Sequence, residues 1–374
     1  MSAMRTVPSA LIRRPLFGAA LTIMALLAAG LATATPATGA VRPGRASFSA
    51  VSCKGSSWCM AVGSYTSRSG QHHALAEVWN GKTWRVLKDP PGRAPNSLSC
   101  SAAWFCMANG GPTGAQTWNG KTWREMKSPP GGLSGISCGS RSTCMVIYRG
   151  VVQSWNGKRW RIWTQATSVC GGPPGYPCGL ASVSCGSASN CVGVGTQTIS
   201  QEPVQDTVGV AWNGTSWTHT SPPGYGNPSA ANAVSCAGNF CMDVGGGYAD
   251  VDGGNVASAG TWNATTQTWK DVSPTLPVFC KGAFKTCSWA HIISCGSAAN
   301  CMTFGIDGNL AWNGRTWTPA PSVSAGKGSN LRTVSCGGGS CVAVGYQTVA
   351  GAQQTLAELW NGRTWRILKT PGLP

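Results

Sequence analysis

From about residue 41 onward the sequence breaks into short apolar stretches, each a few residues long and bounded by Gly, Ser, Asn or Pro. Stretches such as Cys59-Met60-Ala61-Val62-Gly63, Cys191-Val192-Gly193-Val194-Gly195 and Trp365-Arg366-Ile367-Leu368 have the length of strands. No long helical periodicity follows them. They recur in a fixed order. A first strand ends at Ser-Cys, a second starts at the next Cys and runs through Val-Gly, a third leads into Trp-Asn-Gly, and a fourth starts at the next Trp. Asn-Gly is the strongest short hairpin signal, because both residues tolerate the positive φ such a turn needs. The first Cys of the unit falls at 53, 100, 138, 185, 236, 295 and 336. A unit of about 40 to 50 residues with four antiparallel strands is the mark of a propeller blade. The pattern therefore predicts an all-β, seven-bladed β-propeller over residues 41–374, with no segment left for a second domain. Whole units that coincide with whole blades would leave out the usual exchange of a strand between the termini.

The cysteines fall in phase with this repeat. Seven pairs take equivalent places: Cys53 with Cys59, Cys100 with Cys106, Cys138 with Cys144, Cys185 with Cys191, Cys236 with Cys241, Cys295 with Cys301 and Cys336 with Cys341. Each would staple the tip of the hairpin between strands one and two. Cys170 with Cys178 and Cys280 with Cys287 lie in insertions and complete the 18 cysteines. A zinc site needs thiolates converging in fours, which one pair per blade does not supply. No cofactor is expected, and no metal.

The first 40 residues read as an export signal: Arg5, Arg13 and Arg14 precede an uncharged apolar run from Leu16 to Ala34, followed by small-residue cleavage sites. Left uncleaved, the run is long enough to anchor the chain in a membrane. Export agrees with the cysteine content and places the protein outside the cell, secreted or wall-associated, which argues against nucleic acid as a partner. The whole chain carries a formal charge of +17, and the signal contributes only three of its basic residues. The basic remainder favours anionic partners such as acidic glycans or cell-surface polymers.

Gly-Lys-Thr-Trp at 81–84 and 120–123, and Gly-Arg-Thr-Trp at 314–317 and 362–365, resemble the tail of the Asp-box, Ser-x-Asp-x-Gly-x-Thr-Trp. That motif marks the turn between strands three and four in blades of sialidases and related propellers. Where the Asp-box has its Asp, this chain has Trp79, Trp118, Trp155, Trp212, Trp262, Trp312 and Trp360, and unit five lengthens the turn between Asn263 and Trp269. The resemblance implies a sialidase-like propeller scaffold of the kind found in secreted bacterial repeat proteins. It implies no sialidase activity, since the motif is structural in that family too.

Two Trp per unit belong to the repeat, and packing between blades accounts for them. Trp58, Trp104, Trp163 and Trp289 stand outside it. Lys and Arg cluster at the hairpin turn and the start of strand four, where they guard an outer edge or mark an anionic footprint. Glu77 and Glu358 share one repeat position in units that closure would bring together. That position reads as a solvated strand face more readily than as a hydrolytic pair. Asp243 replaces the Ala found at its position in units one, two and seven, and is a candidate for lining the central channel. The stretch 250–255 is only superficially like a calcium loop, because it lacks the bidentate Glu.

These features favour a non-catalytic binding or scaffold propeller for a glycan or anionic wall polymer. A glycan-active hydrolase or lyase and a protein-binding adhesin or inhibitor are the alternatives, the last implying an extracellular protein partner. Alternating strand directions put the Cys hairpins and Asn-Gly turns on one face and the variable connections on the other. That second face holds 64–74, 246–259 and the two disulfide-tied insertions, and irregular loops on a rigid scaffold are where binding concentrates. The candidate ligand-binding residues there are Trp163, Tyr176, Tyr225, Tyr248, Asp250, Asp252, Asp271, Phe284 and Trp289. The rival site is the hairpin face, crowned by Trp58, Trp104 and Phe240.

Overall fold

Seven four-stranded antiparallel sheets follow one another along the chain, at residues 45–86, 98–127, 137–163, 178–220, 229–271, 292–319 and 329–368. The computed structural model describes residues 44–371 except 111–113, 130–132, 134, 149, 164–177, 199–204, 225–228, 250–253, 275–290, 306–307 and 325–327. At 248–249, 254–256 and 305 only the backbone is described. Within every blade, strands adjacent in sequence are adjacent in the sheet. The first strands of successive blades pack against one another, and the fourth strand forms the outer edge. No helix among the described residues is long and apolar enough to cross a membrane.

All seven repeat disulfides form: Cys53 to Cys59, Cys100 to Cys106, Cys138 to Cys144, Cys185 to Cys191, Cys236 to Cys241, Cys295 to Cys301 and Cys336 to Cys341. In each pair the two residues lie directly opposite one another across the first hairpin. The staples sit deeper than a hairpin tip suggests. Cys59, Cys106, Cys144, Cys191, Cys241, Cys301 and Cys341, which open the second strands, are all buried and each belongs to a hydrophobic core cluster. The reason is that the second strand is covered by a neighbouring blade on each side, so its first residue is already inside. These sulfurs are therefore core packing as well as cross-links. Cys178 is disulfide-bonded as well. Cys170, Cys280 and Cys287 lie outside the described residues, as does the predicted export signal.

The paired Trp of each blade meet across the outer hairpin with ring centroids 5.4–5.8 Å apart. In three blades the second Trp also ties its blade to the one before, whereas the indole N–H groups of Trp84, Trp123, Trp217 and Trp269 are buried without a hydrogen-bond partner. The indole N–H of Trp160 donates to the carbonyl of Lys127 at 3.1 Å, that of Trp317 to Val272 at 2.9 Å, and that of Trp365 to Ala320 at 3.0 Å. Large buried indoles thus serve packing and orientation together.

The Asn-Gly turn differs from expectation. Trp79 pairs with Trp84, so the loop between them holds four residues rather than two. Only its Gly takes positive φ, +90° at Gly81. Asn80 instead accepts the N–H groups of Lys82 and Thr83 on its side-chain oxygen at 2.9 and 2.8 Å. The same cap recurs at Asn119, Asn156, Asn213, Asn313 and Asn361. Asn is present for its side chain, as in an Asx-turn.

A second ring of bonds closes the propeller. The N–H of each first-strand Cys donates to the hydroxyl of the Ser-Cys serine in the preceding blade: Cys100 to Ser52, Cys138 to Ser99, Cys185 to Ser137, Cys236 to Ser184, Cys295 to Ser235 and Cys336 to Ser294, at 2.8–2.9 Å. Cys53 donates to Ser335 at 2.9 Å and completes the circle between blades seven and one. Phe48, Trp79 and Trp84 of blade one share a core with Val342, Ala357 and Leu368 of blade seven. The ring therefore closes by packing and by this serine stitch, with no strand exchanged.

The glycine of Val-Gly in strand two answers a close approach. A bulge in the first strand brings the Asn330 carbonyl to 1.9 Å from where a Cβ on Gly345 would sit, and Gly63, Gly195 and Gly245 face the same obstruction at 1.9–2.0 Å. Gly345→Ala is expected to cost about 3 kcal/mol, at the upper end of the usual range for overpacking because backbone must yield. Urea denaturation checks it. An unchanged midpoint would show that the bulge can relax.

Candidate functional site

The Ser-Cys corners of blades one, four, five, six and seven line one cavity on the hairpin face. The chain leaves each corner almost touching the next blade. A Cβ on Gly186 would stand 2.1 Å from the Gly238 carbonyl, and one on Gly337 would stand 2.2 Å from that of Gly55. Asn190 and Asn300 donate side-chain N–H groups to the carbonyls of Gly238 and Gly338 at 2.6 and 2.9 Å. The result is a bowl of about 690 Å³ floored by backbone and small side chains, within the range of ligand sites.

Lys54 is the one charged residue lining this bowl, at the position after the first Cys where other blades carry Ser101, Gly139, Gly186, Ala237, Gly296 and Gly337. Its side chain is solvent-accessible, yet the crowded rim lowers its ammonium pKa from the ordinary value by desolvation. Asn239, Phe240 and Thr265 form the opposite wall. Phe240 also lines a groove of about 760 Å³ that runs outward between blades five and six past Lys270, Asp271, Trp312 and Arg315. Residues of the Cys hairpin and of the third-to-fourth-strand turn line the same bowl, so the two hairpin types share one face.

The acidic residues take other places than expected. Glu77 and Glu358 are 2% and 0% exposed, so neither lies on a solvated face. Where the position two before the repeat Trp is polar its side chain turns inward, as Gln116 and Gln153 also do. Glu358 accepts the N–H groups of Ser324 at 2.9 Å and Val323 at 3.3 Å, holding the connection that enters blade seven. One carboxyl oxygen of Glu77 has no hydrogen-bond partner, and burial pushes its pKa up to about 8. Asp243 does not line the channel. It sits in the second strand between Val234 and Gly260, is fully buried, and neither carboxyl oxygen makes a well-formed hydrogen bond. Desolvation raises its pKa to about 8, opposed only in part by nearby backbone N–H groups, including that of Gly260. Pro223, which has no N–H to give, lies beside Gly260.

Of the loop-face candidates, Trp163 is a core residue. It ends the fourth strand of blade three at 8% exposure, donates its indole N–H to Ser154 at 2.7 Å and meets Trp212 of the next blade at 5.0 Å. Asp271 is exposed and lines the groove between blades five and six, beside hairpin-turn residues. Tyr248 is described in its backbone alone. Tyr176, Tyr225, Asp250, Asp252, Phe284 and Trp289 lie outside the described residues. On the hairpin face, Trp104 is 56% exposed and Trp58 is half-buried against the core between blades one and two. Sequence reasoning missed Lys54, whose signal was a lone basic residue in a column of small ones.

The fold defines a seven-bladed propeller closed without a shared strand. It is similar to the β-propeller domain of the trilobed protease from Pyrococcus furiosus, described as having an open velcro topology, with 9% identity over 88% of this chain and 96% of that one and a TM-score of 0.55. The GH74 xyloglucanase from Xanthomonas campestris is similar at 11% identity and a TM-score of 0.50, covering 85% of this chain and 59% of that one. YCF48 from Cyanidioschyzon merolae matches at 14% identity over 81% of this chain and 94% of that one, with a TM-score of 0.49. At these identities the likeness is one of fold. No known family pattern and no curated protein matches the chain.

Proposed function

We propose that this chain is an exported, non-catalytic binding propeller that takes an acidic glycan in the bowl on its hairpin face. The observation that carries the reading is the bowl itself, which offers one cation, an aromatic edge and a floor of backbone groups, with no carboxylate among its lining residues. A ligand rich in hydroxyls and carrying a carboxylate suits such a surface. The described carboxyls with strongly raised pKa, Glu77 and Asp243, are buried within sheets and do not line the bowl. The seven repeat disulfides fit an oxidising compartment. The Asp-box-like hairpin bears on the scaffold alone.

Trigalacturonate is a suitable probe. Lys54→Met is expected to weaken its binding about tenfold or more, the worth of a hydrogen bond to a charged group. The melting temperature should not move, and no sugar should be released by the native protein. Equal binding by the variant, or measurable turnover, would contradict this reading.

A further inference from the structure

We propose that the seams between neighbouring blades form a repeated set of anion-binding grooves around the rim, which together hold one acidic polysaccharide chain. This extends the binding reading above from the axial bowl to the outer edge.

At four of the seven seams the repeat places a basic residue directly after the second Trp of one blade and another in the hairpin turn of the next. At the seam between blades seven and one these are Arg366 and Lys82, which with Lys369 line a groove of about 450 Å³. Trp79, Trp84 and the half-exposed Ile367 form its apolar wall, and no acidic residue lines it. The seam between blades five and six repeats the arrangement. Lys270 and Arg315 flank a groove walled by Trp312 and Trp317, and its Asp271 carboxylate already accepts the Ser273 N–H at 2.8 Å. Two grooves far apart in sequence therefore share one plan of paired cations over an indole wall.

The same two positions are basic at the seams between blades one and two, Arg85 with Lys121, and blades two and three, Arg124 with Lys158. The other three seams differ: Arg161 is matched with Thr215 between blades three and four, Thr318 with Arg363 between blades six and seven, and neither position is basic between blades four and five. Thr218, Asn213 and Gln267 line the groove of this last seam, of about 210 Å³, with no charge. Protection of an outer strand edge would require basic residues on the strand but no pairing with the turn of the next blade. Exposed cations at the mouth of a groove suit a chain that lies along the seam while its carboxylates meet Lys and Arg. A flat lipid headgroup surface would meet the turn residues Lys82 and Arg315 and leave the grooves between the blades unfilled. Several weak grooves on one disc would act together on a long chain and separately on a short one.

The test uses trigalacturonate and a polygalacturonate of about 20 residues, long enough to reach more than one groove. The proteins are the native chain, Lys82→Ala/Arg366→Ala, Lys270→Ala/Arg315→Ala, and Thr218→Ala as a neutral-groove control. Native protein should bind the polymer at least about tenfold more tightly than the trimer, and each double variant should lose about tenfold of polymer affinity with a shallower salt dependence. Trimer binding, melting temperature and the Thr218→Ala variant should match the native values. Polymer affinity unchanged in both double variants would overturn the proposal. So would equal affinity for trimer and polymer, or tighter binding to phosphatidylglycerol vesicles that the same variants abolish. Failure of the axial reading is seen separately, as trimer binding that Lys54→Met leaves intact.

Discussion

After complete reduction of its disulfides the protein is expected to lose its cooperative fold near room temperature, while the oxidised form keeps a sharp thermal transition. Each repeat disulfide closes a loop of only five or six residues of sequence separation. Closing a loop that short stabilises by about 2 kcal/mol. Seven of them together rival the roughly 5–15 kcal/mol by which a typical domain outweighs its unfolded chain. The serine stitch cannot compensate, because its bonds contribute about 1 kcal/mol each and rely on the Ser-Cys corners that the disulfides hold. Far-UV dichroism before and after reduction, with mass spectrometry to count alkylated thiols, checks this. A fully alkylated protein with the melting temperature of the oxidised form would show that the blades stand without their staples.

Between about pH 4 and pH 8 stability is expected to fall as pH rises, and Asp243→Asn should remove much of that slope. Asp243 has a folded pKa of about 8 against an ordinary value of 3.8, and Glu77 about 8 against 4.5. In that window the unfolded chain has already released protons that the folded chain must keep, so every rise in pH favours unfolding. The contribution is fully present below the ordinary pKa and is lost as pH passes through the folded one. For Asp243 the difference amounts to up to about 5 kcal/mol at pH 8 and above. Asn fills the same space without a charge to bury. The variant should therefore melt several degrees above the native protein at pH 8 and close to it at pH 4. A native protein that gains stability from pH 5 to pH 8, or a variant with an unchanged slope, would mean that Asp243 is solvated or paired.

The parts of the fold legible in sequence were those written once per blade within a short span. Cys53 and Cys59, Trp79 and Trp84, and the Asn-Gly between the Trp pair are local partners, so their period and phase gave blade number, hairpins and staples. The depth of the staples was not legible, because Cys106 or Cys301 is covered by residues of other strands and blades rather than by its sequence neighbours. Ser52 escaped for the same reason, since its partner, the N–H of Cys100, belongs to the next blade and no local spacing reveals it. Glu77, Glu358 and Asp243 were misplaced on related grounds. Strand alternation assigns a polar residue to a wet face only when one face is wet, and the middle strands of a blade lie between two neighbours. Trp163 reads as a loop aromatic until the edge of Trp212, from another blade, is set against it. Lys54 gains its meaning only when the corners of five blades converge.

Hydrogen–deuterium exchange of the native protein with and without saturating trigalacturonate tests the central claim most directly, because it reports which face of the disc the ligand covers. Protection at residues 53–55 and 238–240, which line the bowl, is the predicted result. Protection confined to residues 64–74 and 246–259 would contradict it.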